Sequence, residues 1–180
     1  MVYIFLADGF EIVEALAPAD ILTRAGSKVV TVGVTGKVVT ASCGIPVVAD
    51  ITASALKLDD KTDMIVLPGG MPGTNNLEAD NTVQSAIDFA VSKGIYVAAI
   101  CAAPKILGHK GLLKGRKATC FPSFESELEG AELTGLQAVT DGKFITGKGA
   151  GAALDFGFEL VKALYSAEKA AEVAAKMQCR

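Results

Sequence analysis

Apolar positions along this chain follow two rhythms. Short unbroken apolar runs, "VYIFLA" (2–7), "SKVVTVGV" (27–34), "TDMIVLPGG" (62–70) and "IYVAAIC" (95–101), have strand length and predict buried β-strands. Between them the apolar residues take helical spacing. Over 8–26, Val13, Leu16, Ala17 and Ile21 make one face and Gly26 marks the stop, while Pro18 predicts a kink or a break into two helices. Further helices are predicted over 74–94, ending at Gly94, after Cys101 in "APKILGH", and over 151–165 and 166–178. Ser166 is a weak N-cap candidate, because Lys169 stands where a capping box wants an acid. "KVVTAS" (37–42) and "IPVVAD" (45–50) flank Cys43-Gly44 as a hairpin, and 117–120, 137–141 and 143–147 read as short strands.

Strands alternating with helices imply a mostly parallel sheet covered on both faces. No low-complexity linker or internal repeat divides the chain, so one α/β sandwich domain over residues 1–180 is expected. In such sheets ligands bind beyond the carboxyl ends of the strands. That rule points to residues 7–14, to the "PGG" turn at 68–70 and to Cys101.

Composition narrows the class. The 180 residues are 51% hydrophobic with a net charge of −3, and no basic run appears, so nucleic acid is not an expected partner. Mean hydropathy is high at +0.41, yet no apolar run approaches the roughly 18 residues of a membrane span. The opening "MVYIFLADGFE" lacks a basic start and meets Asp8 too early for a signal peptide, so a cytoplasmic location is expected. Four cysteines without C-x-x-C spacing and a single histidine, His109, give no metal-ligand pattern, and neither metal nor cofactor is expected.

The candidate chemistry centres on "AAICAAPKIL" (98–107). Cys101 falls where a strand should turn sharply into a helix, with small Ala102 and Ala103 beside it and Pro104 ready to open the helix. That is a nucleophile elbow in form, and the helix start should favour thiolate. A free cysteine in an apolar run is also a common inert core residue, and spacing alone leaves both readings open. In "LPGGMPG" (67–73), the Gly70 N–H and the Ala102 N–H are candidates for an oxyanion hole; an ordinary strand-to-helix turn is the other reading. Glu14 is a charge among apolar neighbours in "IVEALA", either facing solvent as Glu11 does or buried against Cys101 as an acid/base with a raised pKa.

Taken together, "AICAAP", "VLPGG", "GFEIVEALAPAD" and "TGKGAGAALDFGFELV" (146–161) resemble the ThiJ/PfpI superfamily, in the branch of the parkinsonism-linked protein deglycase and its bacterial relatives. The likeness runs along nearly the whole chain in order. It implies a flavodoxin-like three-layer sandwich related to class I glutamine amidotransferases, and a homodimer. It implies that Cys101 is a reactive, oxidation-prone cysteine, that Glu14 hydrogen-bonds its sulfur, and that Gly70 and Ala102 are the backbone donors. The activities implied are glyoxalase III or deglycase chemistry on α-oxoaldehydes or on glycated protein or nucleotide; redox sensing and chaperoning are the alternative. One departure counts against a peptidase. Several family members have a histidine where "KATCFPSFES" places Phe121, and His109 lies two turns, or about 11 Å, beyond Cys101. His109 is expected as a helix-end residue complementing the dipole. Cys120 is read as a small strand-end residue, with a resolving thiol as the other reading. Cys43 and Cys179 carry no expected role.

Overall fold

In the computed structural model, which describes residues 1–179, the chain begins with β1 (Val2–Leu6), α1 (Ile12–Ala25) and β2 (Val29–Gly33). A hairpin of β3 (Val38–Thr40) and β4 (Pro46–Val48) leads to β5 (Ile51–Thr52) and β6 (Met64–Leu67). Then come α2 (Gly73–Ala79), α3 (Asn81–Lys93), β7 (Tyr96–Ile100), α4 (Pro104–His109), β8 (Lys117–Ala118) and β9 (Glu132–Leu133). The chain closes with β10 (Ala138–Asp141), β11 (Phe144–Gly147), α5 (Ala153–Leu164) and α6 (Ala167–Lys176).

The main sheet has the order β10-β11-β7-β6-β1-β2-β5, parallel throughout except for the β10–β11 hairpin. With the two-residue β5 set aside, the parallel strands follow the 2-1-3-4-5 order of flavodoxin-like folds. Alternation along each strand sorts the core onto two faces. Val2, Ile4 and Leu6 of β1 and Ala98 and Ile100 of β7 pack beneath α1, α5 and α6. Tyr3 and Phe5 of β1 and Val97 and Ala99 of β7 face α2, α3 and α4. The three layers are therefore helices, sheet and helices. On the first face α1 and α5 touch closely at Gly157, where a Cβ would lie 2.6 Å from Ile21 Cδ1.

Several boundaries differ from the expectation for local reasons. Helix α1 starts at Ile12 rather than residue 8, because residues 8–10 bond to the hairpin instead: Asp8 Oδ1 accepts from the Thr40 N–H (2.7 Å), and the Gly9 N–H donates to the Thr40 carbonyl (2.8 Å). Pro18 does not divide α1; the helix runs unbroken past it, and only the N–H that would reach the Glu14 carbonyl is lost. The single helix expected over 74–94 is two. Asp80 separates them, its carboxylate accepting from the Thr82 and Val83 N–H groups as the N-cap of α3. Ser166 does cap α6, accepting from the Lys169 N–H at 3.2 Å, without the acid half of a capping box. The strand expected at 117–120 pairs with β9 outside the main sheet. No helix among the described residues is long and apolar enough to cross a membrane.

Candidate active site

The topology reverses between β1 and β6, and the loops leaving β1, β6 and β7 meet there. Glu14 lies in the first turn of α1 and is wholly buried. Gly69 and Gly70 follow β6, and Cys101 follows β7 directly. Cys101 has a φ of 66°, a left-handed conformation that a residue with a Cβ seldom adopts. Two backbone bonds hold it there: its N–H donates to the Gly147 carbonyl at the end of β11 (2.9 Å), and its carbonyl accepts from the Phe121 N–H (2.8 Å). Ala102 and Ala103 are buried beneath the turn, and Pro104 opens α4. The strained turn keeps the thiol partly open to solvent above the sheet.

Gly69 is the wedge that brings the side chains together. A Cβ there would lie 2.6 Å from Cys101 Cβ and 2.7 Å from Glu14 Oε2, so the two residues flank it on either side. The Gly69 N–H donates to Glu14 Oε2 at 2.9 Å. Glu14 Oε1 is buried without a regular hydrogen bond, and the remaining neighbour of the carboxyl is the Cys101 thiol. On the sulfur side, the Gly70 and Ala102 N–H groups both point at the thiol. Gly70 takes a φ of 88° in a spot where a Cβ would meet the Glu11 nitrogen at 2.4 Å, so the close approach of these loops requires glycine.

Burial sets the electrostatics. It pushes the Glu14 carboxyl up to about 7, helped by the charge of Glu11 and opposed by the bonds from Cys101 and Gly69. The Cys101 thiol is pushed up to about 12, by burial first and then by the charge and hydrogen bond of Glu14; the Gly70 and Ala102 N–H groups pull it down. Beside a charged Glu14, therefore, the helix start does not favour thiolate, contrary to the sequence expectation. Helix α4 has only six residues, and burial beside a carboxylate outweighs its end. The groups form one coupled pair that gives up a first proton near neutrality and keeps the second far above it.

Of the residues expected at the site, Cys101, Glu14, Gly70 and Ala102 converge. His109 does not join them. Its Nδ1 lies 2.5 Å from Glu78 Oε1 and its Nε2 2.6 Å from Glu127 Oε2, so both ring nitrogens are occupied. It ends α4 as expected, but two carboxylates hold it, not the helix dipole. Cys120 is buried and packs on the α2–α4 face, whereas Cys101 packs on the other. Burial, aided by Glu125, pushes its thiol up to about 11. Cys43 is exposed at the hairpin turn, and Cys179 is partly exposed. Sequence reasoning missed Gly69 as the wedge and Gly147 and Phe121 as the clamps of the elbow. The doubled glycine was a signal for the first; clamps acting through the backbone leave no side-chain signature.

The profile of the DJ-1/PfpI family matches residues 1–163. Protein DJ-1 homolog A of Arabidopsis thaliana is 37% identical over 183 residues; the match takes in 99% of this chain but only 46% of that protein. The glutathione-independent glyoxalase DJR-1.2 of Caenorhabditis elegans is 30% identical over 162 residues, covering 88% of this chain and 85% of the relative. The crystal structure of Drosophila melanogaster DJ-1beta superposes with a TM-score of 0.93 at 33% identity, over 99% of this chain and 97% of that one.

Proposed function

The chain belongs to the DJ-1/PfpI family, and on that premise we propose that it is a cysteine-dependent, glutathione-independent enzyme acting on small α-oxoaldehydes or their adducts. The observation that carries this reading is the Cys101–Glu14 pair, set on either side of Gly69 with the carboxyl wholly buried and the thiol partly exposed. Its two one-proton forms are not equivalent. With the proton on sulfur, the thiol donates to Glu14, and the negative charge sits on a wholly buried carboxylate whose one N–H donor is Gly69. With the proton on Glu14, the carboxyl donates to sulfur, and the negative charge sits on an atom facing two N–H groups and solvent. The Cys101–Glu14 bond exists in both forms; the second places the charge on the better-solvated atom, and this is the form in which Cys101 reacts.

The chemistry follows from those groups. Cys101 thiolate adds to the aldehyde carbon of methylglyoxal, and the oxygen that becomes charged takes a proton. The Gly70 and Ala102 N–H groups stabilise negative charge on sulfur and then on the adduct. Glu14, returned to carboxylate, removes the proton from the former aldehyde carbon and delivers it to the neighbouring carbonyl carbon, while the adduct's hydroxyl proton passes to that carbon's oxygen, leaving a thioester. Water cleaves the thioester to lactate and frees the thiol. Overall one methylglyoxal and one water give lactate and a proton, with no external oxidant. The test is lactate formation from methylglyoxal without glutathione. Wild type should produce it and Cys101→Ala should not; equal rates overturn the reading.

A second reading, a redox sensor or chaperone, draws on the partial exposure of Cys101, which lets peroxide reach the thiolate. Attack on the peroxide would form sulfenate and release water. If graded peroxide modifies Cys101 no faster than Cys179 by mass spectrometry, that reading fails. A peptidase reading lacks a base, since His109 is taken by Glu78 and Glu127. We also propose that Val13 and Leu16 of α1 and Val38, Ile45 and Val48 of the hairpin, all exposed, form the contact of a homodimer, which light scattering measures directly.

A further inference from the structure

A hollow of about 290 Å³ lies beside the backbone clamps of the elbow. Its walls are Phe121 and Pro122 on one side and Gly149, Ala150 and Ala152 on the other. Both walls start where Cys101 is clamped: Phe121 bonds the Cys101 carbonyl, and Gly147, two residues before Gly149, accepts the Cys101 N–H. The lining is apolar apart from Gln137 and Lys148.

Lys148 differs from Lys105 and Lys110, the lysines at the two ends of α4. Lys105 and Lys110 each reach a carboxylate within 3.1 Å. Lys148 is half-buried, yet among the described residues no carboxylate lies within ion-pair distance of it. Its ammonium makes a single long bond, 3.5 Å, to the Gly135 carbonyl. Lys148 also lines a second cavity of about 150 Å³, which shares Pro122 with the first and is bordered by Thr119, Cys120 and Glu125. Thr119 Oγ1 is buried there without a hydrogen-bond partner. A half-buried cation with no carboxylate in ion-pair range, tethered by one long bond beside a largely apolar hollow, is an arrangement that an anionic ligand completes.

We propose that Lys148 is a specificity-determining residue that recognises a carboxylate carried by the molecule presented to Cys101. The site then prefers adducts whose carrier, such as an amino acid or a short peptide end, bears a free carboxylate over neutral ones of the same shape. A single ammonium matches a monoanion; among the described residues Lys148 is the one cation in the lining, and a phosphate dianion would call for more positive charge than it supplies. This deepens the proposed function, because it rests on Cys101 being the group to which the substrate is delivered.

The test uses stoichiometric labelling, so it does not depend on turnover. N-iodoacetylglycine and N-iodoacetylglycinamide share the reacting carbon and the shape, and differ only in carboxylate against amide. Second-order labelling rates at Cys101 are followed by mass spectrometry for wild type, Lys148→Met and Lys148→Arg. The ratio of acid to amide rates should be about tenfold higher in wild type than in Lys148→Met, the worth of one partly buried charge-assisted bond. Lys148→Arg should restore it, and the amide rate should be alike in all three. A ratio unchanged in Lys148→Met overturns the proposal, as does a Cys101 that neither reagent labels. Absence of lactate from methylglyoxal, with the ratio intact, would instead overturn the enzymatic reading and leave this recognition standing.

Discussion

Replacing Glu14 by glutamine should make the protein more stable at alkaline pH and have little effect in acid. The carboxyl's ordinary value of 4.5 is raised to about 7 in the folded chain, with burial the largest cause. Between those limits the folded state binds a proton that the unfolded chain has already released, so stability falls as pH rises through this window. Below 4.5 both states are protonated and the carboxyl carries no penalty. Above about 7 the whole difference is felt: at 1.36 kcal/mol per unit it amounts to about 3 kcal/mol. The result does not depend on which atom of the pair carries the proton, because only the total count enters. Glutamine keeps the oxygen that accepts from the Gly69 N–H and removes the titration. Other acids move too, Glu78 in the opposite direction, but they do so in both proteins and cancel in the difference. Urea unfolding of wild type and Glu14→Gln at several pH values between 4.5 and 8 provides that difference. It should grow by about 3 kcal/mol in favour of the variant across the range. A difference that stays constant with pH refutes a buried, proton-binding Glu14.

Two further outcomes follow from the same geometry. Gly69→Ala puts a Cβ 2.6 Å from Cys101 Cβ and 2.9 Å from the Ile100 carbonyl, which cannot yield; the variant should lose about 1–3 kcal/mol in chemical unfolding and label more slowly at Cys101. His109 is raised above its ordinary 6.5 by its bonds to Glu127 and Glu78, so its ion pairs contribute stability that is complete below 6.5 and lost as pH rises through the folded value. His109→Gln should therefore lower the melting temperature more at pH 6 than at pH 9, and an equal drop at both would show that the imidazolium contributes nothing.

What the sequence made legible is what periodicity encodes. The runs that became β1, β2, β6 and β7 are apolar on both faces because both faces are covered, and the strand-helix alternation gave the parallel sheet. The breaks were less visible. Asp80 sits inside a continuous helical rhythm, and only its side-chain bonds to Thr82 and Val83 reveal that it starts a new helix. Residues 8–10 look helical until the hairpin claims their hydrogen bonds. At the site, Cys101 was recognisable from its small neighbours and Glu14 from its apolar ones, but their meeting depends on a glycine 55 residues from Glu14. The direction of the Cys101 shift was misread because helix ends are visible in sequence and burial beside a second acid is not.

The central claim is that the pair's single proton stays on Glu14 and its charge on Cys101. The direct measurement is the rate of Cys101 labelling by iodoacetamide from pH 5 to pH 12. The pair titrates at about 7 and about 12, and sulfur reacts only as thiolate. If the charge sits on sulfur in the one-proton form, the rate rises through the step near 7 and is already high at pH 8. If it stays low at pH 8 and rises only toward 12, the proton is on sulfur and the account is contradicted.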